Sequence, residues 1–224
     1  TFKKFIEHIA FMKEFVITKE MADDSKIGIS ANISSKPKKF VQAYYKTINK
    51  LCAWALMNGT SASGTFARAK VDLTTGDGLS LFNNAHPYFT DEMKGKTQSN
   101  YFYGDFSTDI ETALTKLSNK LRNFKDENGE TLDYTANVII IPCNRPMLEA
   151  KLKKAAGSER TVGSNHNDIN IQYGNWDLVV LPGWESSDDR FMIMSSEANE
   201  NLYGNMFFNR VPLDIRNNID DHTR

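Results

Sequence analysis

Apolar residues between positions 36 and 58 recur with the period of a helix. Phe40, Val41, Tyr44, Ile48, Leu51, Cys52 and Ala55 fall on one face, and Trp54 and Met57 widen it. The pattern predicts one long helix over 36–58. Ser34 or Ser35 is placed to cap its start, Pro37 suits its first turn, and Asn58-Gly59 offers a left-handed stop. A helix of about 21 residues spans roughly 30 Å, about the width of a small domain, so other layers are expected to be mounted on it. Lys39, Gln42, Lys46, Asn49 and Lys50 share the opposite face.

Elsewhere the period changes. Residues 9–17 read as a strand with Phe11, Phe15 and Ile17 on one face, followed by a short helix over 19–24 behind Thr18 and a Gly/Ser-containing connection over 27–35. A loop rich in Thr, Ser and Gly over 60–77 carries a short strand around 70–73, and it is longer than most connections. A second helix is expected from Thr108, where Thr108, Asp109, Ile110 and Glu111 spell a capping box. Its core face is Ile110, Ala113, Leu114, Leu117, Leu121 and Phe124, and a turn at 126–129 ends it. Residues 137–141 are a continuous apolar run ending in Pro142, which predicts a buried central strand.

A third helix over 147–156 is basic toward its C-terminal end, as the macrodipole favours. A polar loop follows over 157–174, then strands over 176–181 and 191–194 on either side of a turn at 183–189. A last strand over 205–215 is pushed toward a sheet edge by Pro212. No internal repeat is visible. Helices and strands mix without strict alternation, which predicts an α+β fold.

Composition narrows the partners. The chain has 224 residues, enough to bury a sizeable core, and its 27 basic and 28 acidic residues give no global charge that argues for nucleic acid or an anionic membrane. No apolar run approaches about 20 residues, so no membrane span is expected, and the first residues lack a signal-peptide pattern. The two cysteines, Cys52 and Cys143, lie far apart in apolar surroundings, which fits a reducing compartment and no disulfide framework. The chain opens on Thr1 and closes on Asp-Asp-His-Thr-Arg, and it is read as a piece of a longer product.

Candidate chemistry is sparse. Cys143 follows a buried strand and precedes a helix, where a nucleophile could sit, but no local signature supplies the histidine and orienting group it would need. A buried structural thiol is expected there, and a Cys143-centred hydrolase is the alternative. His86-Pro87, and His166 with Asp168, lack a second His or Cys at ligand spacing and read as turn or surface residues. Gly76-Asp77-Gly78 is a turn rather than a phosphate cradle, since neither phosphate-binding glycine pattern occurs after a strand. The lysines at 36, 38, 39, 46 and 50 are either phosphate contacts or a solvated helix face. No catalytic residue, cofactor or metal is expected, and the chain does not read as an enzyme.

One stretch carries a family likeness. The run Asp77-Gly78-Leu79-Ser80-Leu81-Phe82-Asn83-Asn84-Ala85-His86-Pro87, followed by Thr97-Gln98-Ser99-Asn100, resembles the major capsid proteins of tailed phages, most closely Mu-like major head subunits. There the same Asp-Gly-x-x-Leu-Phe-x-x-x-His-Pro turn leads through a short insert to Thr-x-Ser-Asn. The order that follows is also similar: a capped helix, the 126–132 turn, the strand ending in Pro142, a helix with Leu148-Glu149-Ala150, and two further strands. The likeness runs from about residue 9 to the end. The residues that match the motif turn are Asp77, Gly78, Phe82, His86 and Pro87, with Leu79, Leu81 and Phe82 expected to anchor it to the body.

The resemblance implies the tailed-phage capsid fold shared with encapsulins. Residues 1–133 would be mostly a peripheral domain with the 36–58 helix as its spine, 134–198 an axial domain with a small sheet and flanking helices, and 199–224 a return to the peripheral domain. It implies a structural protein that self-assembles into hexamers and pentamers of an icosahedral shell around double-stranded DNA, with head-to-tail contacts joining two different patches. The implied partners are copies of itself, a scaffold, a portal, a maturation protease and packaged DNA, the last met weakly by Lys39, Lys46 and Lys50. No membrane partner is implied, and the implied location is the virion, with the host bacterial cytoplasm during assembly. An encapsulin-like compartment shares the same fold. The loops at 157–174 and 183–189 would line the capsomer centre and become ordered only in rings. The family's N-terminal arm, extended loop and C-terminal Trp-bearing strand have no counterpart among these residues, so no cross-linking residue is carried over.

Overall fold

The computed structural model describes residues 30–88, 90–104, 109–126, 129–159, 169–201 and 213–214. The strand expected at 9–17, the helix at 19–24, His166 with Asp168, and all of the strand expected at 205–215 except 213–214 lie outside the described residues, and 213–214 are not in a strand. The chain divides into two units, one of Thr1–His8 with Lys50–Asn205 and the other of Ile9–Asn49 with Met206–Arg224. Among the described residues the fold mixes helices with small sheets, an α+β arrangement.

Helix α1 spans Ser30–Met57, with Pro37 inside it. Neither Ser34 nor Ser35 caps it, and the connection expected over 27–35 is helical from Ser30 onward. A proline inside a helix lacks the N–H that would reach the carbonyl four residues back, and its ring crowds that carbonyl, so Pro37 is a local weak point of α1 rather than its start. The far end also differs from the expected left-handed stop. Asn58 and Gly59 both have negative φ, and the Asn58 side chain donates to the Trp54 carbonyl at 2.9 Å instead. Phe40, Val41, Tyr44, Ile48, Leu51 and Cys52 are half-buried, while Ala53 is fully buried. Burial raises the Cys52 thiol above its ordinary pKa, as suits a packed and unreactive cysteine.

A hairpin follows, β1 (Ser63–Phe66) paired antiparallel with β2 (Ala69–Asp72). The sequence indicated only the second strand, because Ser63-Gly64-Thr65 reads as loop. Phe66 compensates by packing its ring against Trp54, with centroids 5.5 Å apart. Strands β3 (His86–Pro87) and β4 (Thr97–Gln98) form a second two-stranded piece. Helix α2 (Ile110–Arg122) is capped by Asp109, whose carboxylate accepts the Thr112 N–H at 2.9 Å. Asp109 caps one residue later than the expected Thr108, because its acceptor sits nearer the first free N–H groups.

The core is built around β5 (Val138–Pro142). It pairs in parallel with β6 (Asp177–Leu181) and antiparallel with β7 (Met192–Met194), so it is the centre of a three-stranded sheet. The parallel pairing requires a crossover, which contains α3 (Pro146–Gly157). Ile139 and Ile141 pack with Ile110 and Leu114 of α2 and with Leu148, Leu152 and Ala155 of α3. Trp176, Leu178, Phe191 and Ile193 close the cluster. Helix α4 (Ser196–Glu200) is capped by Ser195 and tied to the start of β5, where Asn137 and Ser196 exchange two hydrogen bonds of 2.7 and 2.9 Å.

The turn at 183–189 is fixed within a single chain. Trp184 and Ser186 are buried, Asn144 both accepts from and donates to the Ser186 backbone at 3.0 Å, and Arg145 Nε donates to the same Ser186 carbonyl. These bonds to the turn are all made within one chain. Leu114, Ile139, Ile141 and Leu152 have no solvent contact. Replacing Leu114 with Ala should cost about 2–5 kcal/mol of folding stability, read as a lowered urea midpoint at unchanged slope.

Candidate functional site

Residues 77–87 and 97–100 are separated by an insert in the sequence and joined in the fold. Asp77 starts the arrangement. Its carboxylate accepts the Leu79 N–H at 3.0 Å, the Thr75 hydroxyl, and a bond from His86 Nδ1 at 2.6 Å. Gly78 takes the left-handed conformation that this tight turn needs, at φ +81°. The other ring nitrogen of His86 lies 3.3 Å from the Leu81 carbonyl, so both nitrogens face oxygen. The ring is therefore a brace across the turn, not an open ligand.

Asn100 closes the second half. Its side chain accepts the Asn83 N–H and donates to the Leu81 carbonyl, both at 2.8 Å, and its own N–H reaches the Asn83 carbonyl. Pairing of His86 with Gln98 and of Pro87 with Thr97 completes the knot. Phe82 fastens it to the end of α1. Its N–H donates to the Gly59 carbonyl at 2.8 Å, and a Cβ on Gly59 would stand 2.7 Å from the Phe82 ring. Gly59 is thus required by close packing rather than by a left-handed stop. Leu79, Leu81 and Phe82 are only half-buried. Asn100 is the key residue that the sequence left without a role, though it closes the Thr-x-Ser-Asn signal.

The remaining sequence-derived candidates lie apart from this knot in chain position. Lys39, Lys46 and Lys50 are all exposed, as are Gln42 and Asn49 between them. Cys143 is exposed rather than buried, because the chain turns outward between Pro142 and α3. Its thiol donates to the Trp184 carbonyl at 3.2 Å. His86 is the one histidine among the described residues, and its ring is held by Asp77 and Leu81. Among the described residues no group of three or more His, Cys, Asp or Glu is placed to hold a metal ion, and no helix is long and apolar enough to cross a membrane.

A cleft of about 650 Å³ opens beside α2, lined by Thr115, Asn119, Arg122, Thr135, Asn175 and Asp177 among others. Its lining offers hydrogen-bonding groups but no nucleophile with an adjacent base.

Burial pushes the Asp77 carboxyl up, but the bonds from Thr75, His86 and the Leu79 N–H outweigh it and leave the group below its ordinary value. The folded chain therefore binds this proton less tightly than the unfolded chain does. The stability that Asp77 adds is complete above about pH 4 and is lost as pH falls through its lowered value. Asp77→Asn should cost about 1–3 kcal/mol at neutral pH and flatten the acid limb of stability, measured as urea midpoints across a pH series. An unchanged acid limb would remove Asp77 from that dependence. His86→Ala should also destabilise the fold, by about 1 kcal/mol, since it removes the ring's bond to the Asp77 carboxylate.

No family model, curated protein or solved structure matches this chain.

Proposed function

We propose that the chain is a structural, self-assembling subunit: the major capsid protein of a tailed-phage head, of the Mu-like kind, forming hexamers and pentamers of an icosahedral shell. The observation that carries this reading is the joining of residues 77–87 to 97–100. These are the two stretches that resemble the capsid family, and here Asp77, His86 and Asn100 each bond within or between them. Such a turn acts as architecture and not as chemistry. The long helix α1 and the small mixed sheet covered by α2 and α3 agree with a spine helix and an axial core. Exposed Ile169, Ile171, Met147 and Tyr103 agree with a protein that buries more surface when it meets its own kind.

On this reading the chain is not an enzyme and works in the virion, after assembly in the bacterial cytoplasm with a scaffold, a portal and a maturation protease. The exposed lysines of α1 face the packaged double-stranded DNA. Each contact is weak, because exposed charges are screened within about 8–10 Å at physiological salt. They moderate repulsion between shell and genome and read no base sequence.

Electron microscopy of the full-length product, expressed alone or with its scaffold, tests the assembly. Closed shells or rings are expected. A stable monomer that turns over esters or peptides would overturn the reading in favour of a Cys143 hydrolase. Changing Lys39, Lys46 and Lys50 together to Gln should leave empty shells and their stability intact while lowering DNA retention, most at low salt. Unchanged retention in a growing phage would reduce these lysines to a solvated face.

A further inference from the structure

The cleft beside α2 collects polar side chains that the fold itself does not use. Ser118, Asn119 and Arg122 line it from one flank of α2, Thr135 from the segment before β5, and Asp177 from the start of β6. None of these five side chains has a hydrogen bond or an ion pair among the described residues. The frame around them is fixed without their help. Asn170 donates to the Ala155 carbonyl at 2.5 Å and the Ser158 carbonyl at 2.8 Å, satisfying carbonyls that α3 leaves open at its C-terminal end. Gln172 donates to the Thr115 hydroxyl of α2 and accepts from the Trp176 indole at 2.7 Å. The Asp177 N–H donates to the Asn137 carbonyl at 2.8 Å. With Asn170 and Gln172 turned inward at 4% and 7% exposure, Ile169, Ile171 and Tyr173 are turned outward, and Ile171 gives the cleft an apolar wall. The cleft is therefore preformed, and a ligand entering it would order little of the protein.

We infer that this cleft binds a short peptide by its two charged ends, the carboxylate on Arg122 and the ammonium on Asp177. The ligand class follows from charge. The cleft presents one cation and one anion that are not paired with each other. A phosphate or nucleotide would set negative charge beside Asp177, and a polyamine would set positive charge beside Arg122. A neutral sugar would compensate neither. A zwitterion meets both, and a guanidinium takes a carboxylate by two parallel bonds, which fixes the direction of the bound chain. Ser118, Asn119 and Thr135 supply the donors and acceptors that the amide groups of a peptide require. Ile171 offers contact to an apolar side chain, and the volume of about 650 Å³ lies within the range of small-molecule sites. The site does not depend on the assembly reading, so either can fail without the other.

The test is a titration of the unmodified chain, followed by amide NMR shifts, with glycyl-leucine, glycyl-leucyl-glycine and glycyl-leucyl-glycyl-glycine. Each peptide is used free, acetylated at its N-terminus and amidated at its C-terminus. At least one free peptide should bind saturably in the millimolar range, since both charges stand in water. Shifts should centre on residues 118–122 and 171–177, and blocking either end should weaken binding about fivefold. Arg122→Gln should no longer distinguish the amidated peptide from the free one, and Asp177→Asn should no longer distinguish the acetylated one. Both positions are exposed, and circular dichroism checks that each variant folds. Failure of every free peptide to bind would overturn the site, as would equal binding of free and blocked peptides to the unmodified chain. Tighter binding of inorganic phosphate or spermine than of every free peptide would overturn the ligand class.

Discussion

From Ile139 to Pro142 strand β5 is buried on both faces, and most of the described fold follows from that constraint. Its backbone must find hydrogen-bond partners on both edges, which β6 and β7 supply. Ile139 and Ile141 must be covered, which brings α2 and α3 together over the sheet. The parallel partner can be reached only by a crossover, so α3 lies between β5 and β6 in the chain. Even the surface turns are hung from this strand. Trp184 docks its carbonyl on Cys143 just past the end of β5, and Asn137 at its start holds α4.

The other organising device is polar. At 77–100 the fold closes a turn with an aspartate, a histidine and an asparagine, each bonded more than once. At 170–172 it holds a segment by two buried amides. Bonds of this kind add little net stability singly, but they cost a great deal when broken without replacement. They fix orientation where apolar contact alone would permit several. The two devices have different uses: the first locks the motif turn to the end of α1, and the second keeps an apolar row on the surface.

Under the assembly reading proposed above, these features belong to a structural component. Its described residues hold a knot without reactive geometry, an exposed thiol bonded to a carbonyl, and hydrophobic side chains held outward. A subunit whose task is shape needs surfaces and their rigid support more than it needs a perturbed catalytic group.

The sequence by itself determined the elements that rest on local periodicity. The long amphipathic run, the α2 face of Ile110, Ala113 and Leu114, and the apolar β5 segment all emerge as expected, because each repeats its signal over several turns or residues. Element ends were less legible. Ser34, Ser35 and Thr108 are good caps in isolation, yet the backbone starts its helices elsewhere, since capping is worth only about 1 kcal/mol and neighbouring residues compete for it. Tertiary structure alone decided which polar groups meet. That His86 reaches Asp77, that Asn100 closes on Leu81 and Asn83, and that Gly59 makes room for Phe82 depend on contacts across the chain. The same holds for the 169–173 segment. Alternation in the sequence gives two faces but not which is inside, and only the open carbonyls of α3 and the Thr115 hydroxyl settled that in favour of Asn170 and Gln172.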